Sequence, residues 1–192
     1  MKRSLIAMAI AAVSIMPMTA SAQGIGILGG LSYGSVPNNN GVLPGTLKAN
    51  SGFAIGLGLE GGGPISFGIN GLYSQRGFTS TTAGASQKLS YIDIPVYLKL
   101  SIPNPVLTPF AFVGPQGSFE MNCDADGGTC PSGRDKVTYA GVIGGGVKFG
   151  MLGGLSVQGR YVYGLNNLNL STVSNAGNYH QRSFLLLAGI GF

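Results

Sequence analysis

The sequence predicts an all-β chain: an eight-stranded antiparallel up-and-down β-barrel that spans a membrane, preceded by a signal peptide. Three observations predict it. Runs of roughly ten residues alternate apolar with small or polar side chains, the period-2 signature of a strand. The connections between those runs alternate long and short. Thirty-four glycines and only 9% charged residues argue against long helices. No later stretch has the ~18 unbroken apolar residues of a spanning helix.

Residues 1–22 differ from the rest. Lys2 and Arg3 are followed by an uncharged apolar run from Leu5 to Met16, and Ala20-Ser21-Ala22 ends in an A-x-A pattern. That is the layout of a cleaved signal peptide, too short and wrongly flanked for a membrane span. Residues 23–192 are then one barrel domain. Eleven cationic side chains less Lys2 and Arg3 leave nine, against six acids, a net +3. So mild an excess gives no reason to expect nucleic acid as a partner.

The strands follow in order. Strand one (about 24–35) sets Ile25, Ile27, Leu31 and Tyr33 against Gly26, Gly30 and Ser32. Strand two (about 51–60) sets Phe53, Ile55, Leu57 and Leu59 against Ala54, Gly56, Gly58 and Glu60. Strand three (about 65–76) sets Ile65, Phe67, Ile69 and Tyr73 against Ser66, Gly68, Asn70 and Ser74. Strand four (about 88–101) sets Ile92, Ile94, Val96, Leu98 and Leu100 against Tyr91, Asp93, Tyr97 and Lys99. Strand five (about 108–119) is less regular. Strand six (about 137–149) sets Val137, Tyr139, Ile143, Val147 and Phe149 against Thr138, Ala140, Gly144 and Lys148. Strand seven (about 154–165) sets Leu155, Val157, Tyr161 and Tyr163 against Ser156, Gln158 and Arg160. Strand eight (182–192) turns Phe184, Leu186, Ala188, Ile190 and Phe192 one way.

In a soluble sandwich the apolar face would point inward. In a membrane barrel it points out to lipid. The opposite face is largely Gly, Ala and Ser, which suits a narrow interior. Glu60, Asp93, Lys99, Lys148 and Arg160 lie on it, so a lumen network of mutually neutralising charges is expected. Long connections at 36–50, 77–87, 120–136 and 166–181 and short ones at 61–64, 102–107 and 150–153 fit the outer-membrane pattern of long outer loops and short periplasmic turns. Tyr33, Tyr73, Tyr139, Tyr161, Tyr163, Phe149 and Phe192 fall near strand ends, where aromatic girdles sit. Pro95 and Pro115 remove ladder bonds, so each implies a bulge or a local break.

The segment Tyr91-Ile92-Asp93-Ile94-Pro95-Val96-Tyr97-Leu98-Lys99 resembles a strand that recurs, proline included, in outer-membrane β-barrel domain proteins. These include the PorT-like group, often labelled porin family, of OmpX/OmpA-like architecture. The C-terminal segment, with Phe184, Leu186, Ile190 and Phe192 alternating, resembles the terminal strand read by the barrel-assembly machinery. The resemblance covers nearly the whole mature chain and implies little about activity.

Few residues suggest chemistry. Cys123 and Cys130, the only cysteines, are expected to form a disulfide in an oxidising compartment, against the alternative of two free thiols. Metal is not expected there, because no second Cys pair exists and the single His is distant. Asp124-Ala125-Asp126-Gly127-Gly128 has the opening of a calcium loop without its terminal Glu, and an ordinary Asp/Gly turn is the favoured reading. Gly24/Gly26/Gly29 and Gly56/Gly58/Gly61 match G-x-G-x-x-G but lie inside strands, which excludes a nucleotide site. His180, with Ser183 near, has no acidic orienter beside it and does not make a triad. Lys48, Arg76, Lys88, Lys136 and Arg182 fall near outer strand ends. They are either solvated charges or a basic collar for lipopolysaccharide phosphates.

The expected function is a non-enzymatic outer-membrane barrel, an envelope scaffold that displays its surface loops. Its expected partners are outer-membrane lipid, lipopolysaccharide and the barrel-assembly machinery. It is expected to be a monomer without cofactor or metal, located in the cell outer membrane. The alternatives are a narrow-pore transport protein, a lipid A-modifying enzyme and a soluble periplasmic β-sandwich.

Overall fold

The computed structural model describes residues 24–35, 47–80, 86–126, 136–150, 154–165 and 182–191. Residues 1–22, expected to form the signal peptide, and Cys130, His180 and Phe192 lie outside them. Eight strands follow in chain order: β1 (Gly24–Ser35), β2 (Leu47–Gly62), β3 (Ile65–Ser80), β4 (Ser86–Ser101), β5 (Leu107–Asp126), β6 (Val137–Phe149), β7 (Leu155–Gly164) and β8 (Arg182–Ile190). Each pairs antiparallel with the next, and β1 pairs with β8, so the sheet closes. Among the described residues no helix is long and apolar enough to cross a membrane. The strands do so instead. Closure pairs the backbone groups that hydrocarbon could not solvate.

The register fixes the shape. Gly24 faces Glu60, which faces Gly68, which faces Tyr97. The β4–β5 register carries the row to Gly114, then to Val142, Val162, Ser183 and finally Gly34 on β1. One circuit therefore climbs from residue 24 to residue 34. A ten-residue stagger over eight strands tilts them by roughly 40°, within the usual range for closed barrels.

The face assignments hold. Ile25, Ile27, Phe53, Leu57, Phe67, Ile94, Leu186 and Ile190 are all exposed on the outer surface. Between them, Ser66, Asn70, Asp93, Lys99 and Arg160 are buried. An aqueous protein does not coat itself with a continuous apolar belt while hiding its charges. A lipid-embedded barrel does.

The interior departs from expectation. It is not simply small residues and charges. Leu28, Leu72, Leu185, Leu187, Val142, Val162, Tyr97, Phe110 and Phe112 fill it. Glycine makes the room. Tyr97 lies opposite Gly68, Phe112 opposite Gly144 and Phe110 opposite Gly146 on the neighbouring strands. Each ring lies over its cross-strand glycine, so aromatic bulk and missing side chain compensate pair by pair. A Cβ on Gly144 would lie 2.3 Å from Phe112 Cζ and 2.5 Å from the Gly159 carbonyl oxygen. Gly144→Val is therefore expected to cost about 1–3 kcal/mol by overpacking. Urea unfolding of the refolded barrel measures it. A variant as stable as the parent would show that Phe112 can leave its place freely.

Several strands run further than the alternation indicates. β2 begins at Leu47, β3 continues to Ser80, and β5 reaches Asp126 rather than residue 119. The period-2 signal marks only the part of a strand that has lipid on one side. Beyond the apolar band both faces meet water, and alternation is no longer demanded although the ladder continues. Two register shifts occur, between Asn50 and Ala54 on β2 and between Ser90 and Tyr91 on β4. Pro95 does not bulge. The β3–β4 ladder skips from Ile69↔Val96 to Leu72↔Asp93, and the β4–β5 ladder from Pro95↔Gln116 to Leu98↔Val113, without a shift. The chain takes the local break, because a proline without an N–H removes a bond but need not add a residue.

Candidate functional site: the lumen and its two mouths

The barrel has a turn end, where β2–β3, β4–β5 and β6–β7 connect closely, and a loop end. The inward charges form two clusters along the axis instead of one network. Asp93 and Lys99 share β4 but are six residues apart, roughly 20 Å along an extended strand.

The cluster nearer the loop end centres on Asp93. Ser74 donates to Asp93 Oδ2 at 2.6 Å, and Ser118 donates to Oδ1 at 2.5 Å. Gln116 donates to Ser118 Oγ at 3.0 Å. Arg76 forms an ion pair with Asp93 and lies over the Tyr91 ring, 5.0 Å from its centroid. Three consecutive strands, β3, β4 and β5, supply every group. Arg76 was expected in the outer basic collar. It is instead 4% exposed and faces the lumen. The cause is parity: Ser74 faces inward, so Arg76, two residues on, must do the same.

The cluster nearer the turn end centres on Glu60. Lys99 Nζ donates to Glu60 Oε2 at 2.6 Å, and the Tyr97 hydroxyl donates to Oε1 at 2.8 Å. That commits the single tyrosine proton, so Asn70 must meet the hydroxyl oxygen with its amide N–H, at 3.1 Å. Its carbonyl oxygen then accepts from Arg160 at 2.5 and 2.9 Å. Arg160, on β7, reaches across the lumen to Asn70 on β3. Its guanidinium lies 5.2 Å from the Phe112 centroid and 5.7 Å from that of Tyr97. Lys99 Nζ sits 4.2 Å from the Phe110 centroid. The cations are thus held by aromatic faces as well as by oxygen. Tyr97, Asn70 and the inward aromatics are members that sequence reasoning did not place in the network. Their inward parity was available, but their mutual reach was not.

Lys148 faces the interior from β6 at the turn end. There a hollow of about 760 Å³ opens, lined in part by Glu60, Ser66, Lys99, Thr108, Phe110 and Lys148.

At the loop end, Lys88 is exposed opposite Asp124, and Lys136 is exposed before β6. Arg182 stacks on its cross-strand partner Tyr163, 5.5 Å from the ring centroid. Lys48 occupies a β2 position opposite Thr79. Cys123 lies on β5 opposite Leu89. Its expected disulfide partner falls outside the described residues, as does His180. Ser183 turns into the lumen and is 2% exposed. Asp124 and Asp126 lie on β5, not in a turn. The Gly127-Gly128 part of the candidate calcium loop lies outside the described residues. Among the described residues, no three His, Cys, Asp or Glu side chains cluster as a metal site.

This architecture has relatives. The family described as outer membrane protein beta-barrel domain matches residues 5–192. The chain belongs to the outer-membrane β-barrel domain family. The match is to that broad family and does not single out its PorT-like group. Membership places the barrel in the outer membrane, with the turn end toward the periplasm by the family's architecture. No curated protein matches. Among solved structures, Neisserial surface protein A is 11% identical, covering 88% of this chain and 97% of its own, with a TM-score of 0.53. The outer membrane enzyme PagL is 13% identical, covering 89% of this chain and 100% of its own, with a TM-score of 0.50. Ail of Yersinia pestis is 14% identical, covering 88% and 99%, with a TM-score of 0.49. At such identities the likeness of this outer-membrane barrel to Neisserial surface protein A and PagL is one of fold.

Proposed function

We propose that this barrel is a non-enzymatic envelope scaffold that presents its loop-end strands and connections at the cell surface. One observation carries the reading: the sheet is lopsided. Among the described residues, β2 to β5 run for 16, 16, 16 and 20 residues, while β6 and β7, whose loop-end limits are both described, have 13 and 10. A strand of ~9–11 residues spans the bilayer. Phe119 is the last β5 residue in the ladder with β6, at Val137, and β5 continues seven further residues to Asp126. One wall therefore rises beyond the lipid band at the loop end, as a display platform would.

The filled lumen supports this reading over a narrow pore, because leucines, aromatic rings and the Arg160 strut occupy the path an ion would take. The inward hydroxyl of Ser183 supports it over lipid A modification, because that oxygen is buried in the lumen, away from the bilayer. Lys88, Lys136 and Arg182 suit contacts with lipopolysaccharide phosphate. The outward Phe184, Leu186 and Ile190 suit reading by the assembly machinery. Export by residues 1–22, the Cys123–Cys130 disulfide and a monomeric state belong to the same reading.

The test joins two measurements on one protein. An epitope inserted within residues 81–85 is expected to be labelled on intact cells. The purified barrel is expected to give no discrete conductance steps in planar bilayers. Reproducible single-channel steps, abolished by a bulkier lumen residue, would replace the scaffold with a pore.

A further inference from the structure

The β4–β5 turn is composed unlike a connection that hangs in water, where Gly, Asn, Asp and Ser dominate. It reads Ile102-Pro103-Asn104-Pro105-Val106, and no charged residue occurs from Leu100 to Phe119. Ile102 and Val106 are both more than half exposed. Neither stands alone. Ile102 extends the outward column of Ile94, Val96, Leu98 and Leu100 on β4 at the two-residue step of a strand. Leu107, also exposed, opens the outward column of β5. The apolar belt therefore runs from the lipid-facing part of both strands into the turn that joins them. The backbone suits the same surroundings. Ser101 N–H donates to the Pro64 carbonyl at 2.7 Å, and Ile102 N–H to that of Pro109 at 3.0 Å. Asn104 Oδ1 accepts from the N–H groups of Val106 at 3.0 Å and Leu107 at 3.3 Å. Pro103 and Pro105 have no N–H to satisfy. The Val106 carbonyl accepts from Gly150 N–H at 3.2 Å, which ties the turn to the end of β6.

We infer that this turn seats itself in the periplasmic leaflet, with Ile102 and Val106 in the acyl boundary and phospholipid as their partner. The occupant follows from continuity, because the columns that end in Ile102 and Leu107 already face acyl chains along the strands. Apolar side chains gain by leaving water. A turn whose N–H groups are matched within the protein loses little by leaving it. The β2–β3 turn is the contrast: Gly61, Gly62 and Gly63 offer no side chain to a lipid. Seating is thus one-sided. β4 and β5 also belong to the wall that rises at the loop end, so that wall is anchored at its foot.

The test uses the full barrel in nanodiscs of dimyristoylphosphatidylcholine. Its amide and methyl NMR signals are read against two relaxation agents, a water-soluble gadolinium chelate and a phosphatidylcholine with a nitroxide on an upper acyl carbon. Ile102 and Val106 are expected to be broadened by the nitroxide, and severalfold less by gadolinium than Gly62 and Gly63, which are exposed in the β2–β3 turn. The double variant Ile102→Asp/Val106→Asp should lift the turn into water and bring the Asn104 amide to the gadolinium broadening of Gly63. Heat-modifiable gel mobility confirms that the variant is folded. If Ile102 and Val106 of the parent follow Gly63 with both agents, the turn lies in water and the inference falls. Protection from both agents, or signals that shift with the number of barrels per disc, would give this surface to a second copy and overturn it equally.

Discussion

Replacing Asp93 with alanine is expected to destabilise the barrel by about 3–5 kcal/mol, the cost of leaving a buried charge without its partner. Asp93 is 1% exposed and is the acceptor for Ser74, Ser118 and Arg76. Its removal strands the Arg76 guanidinium inside a closed sheet, where rotation to bulk water is blocked by the tall β3–β5 wall. It also leaves two serine hydroxyls without their acceptor. The cost comes from the unpaired cation more than from the lost attraction, so the double variant Asp93→Leu/Arg76→Met should recover most of the stability. Equilibrium unfolding in urea from lipid vesicles reads both values. If Asp93→Ala costs less than about 1 kcal/mol, water reaches Arg76 and the loop-end half of the lumen is wet rather than packed.

The same cluster shows what could be read from the chain and what could not. Face assignment was legible wherever lipid lies on one side, because a single misplaced residue there would put a charge in hydrocarbon. Phe53, Phe67, Ile94 and Leu186 therefore face out as the alternation requires. Arg76 was misassigned because polar neighbours make it look like a rim residue, although its parity with Ser74 was sufficient to turn it inward. The separation of Asp93 from Lys99 was also legible from strand spacing alone. The reach of Arg160 to Asn70 was not. It depends on the ten-residue stagger, which sets the heights of β3 and β7 and is a property of the closed ring, not of either strand. The glycine–aromatic pairs belong to the same class, since Gly144 meets Phe112 only through the β5–β6 register. The loop-end extensions of β2, β3 and β5 were invisible because water on both faces erases the pattern that betrays a strand.

Leucine 57 offers the test of direction, through the sign of one substitution. Leu57 is 59% exposed on β2. It lies between Ile55, which faces Tyr73, and Gly61, which faces Phe67, and so falls between the two aromatic levels, near the middle of the apolar belt. Leu57→Arg is expected to cost about 2–4 kcal/mol in a bilayer, because a guanidinium at mid-depth must drag water in or bend toward a headgroup. The same change at Ile102, 70% exposed in the β4–β5 connection at the turn end, should cost only about 0–1 kcal/mol, since the interface accepts the charge. Were this surface in contact with water, neither site would discriminate, and an exposed leucine replaced by arginine would stay within about ±0.5 kcal/mol. Unfolding of both variants from vesicles of one lipid composition measures the contrast. A depth-dependent penalty requires hydrocarbon outside the sheet, which is what turns the buried ion pairs of the lumen from an oddity into a necessity.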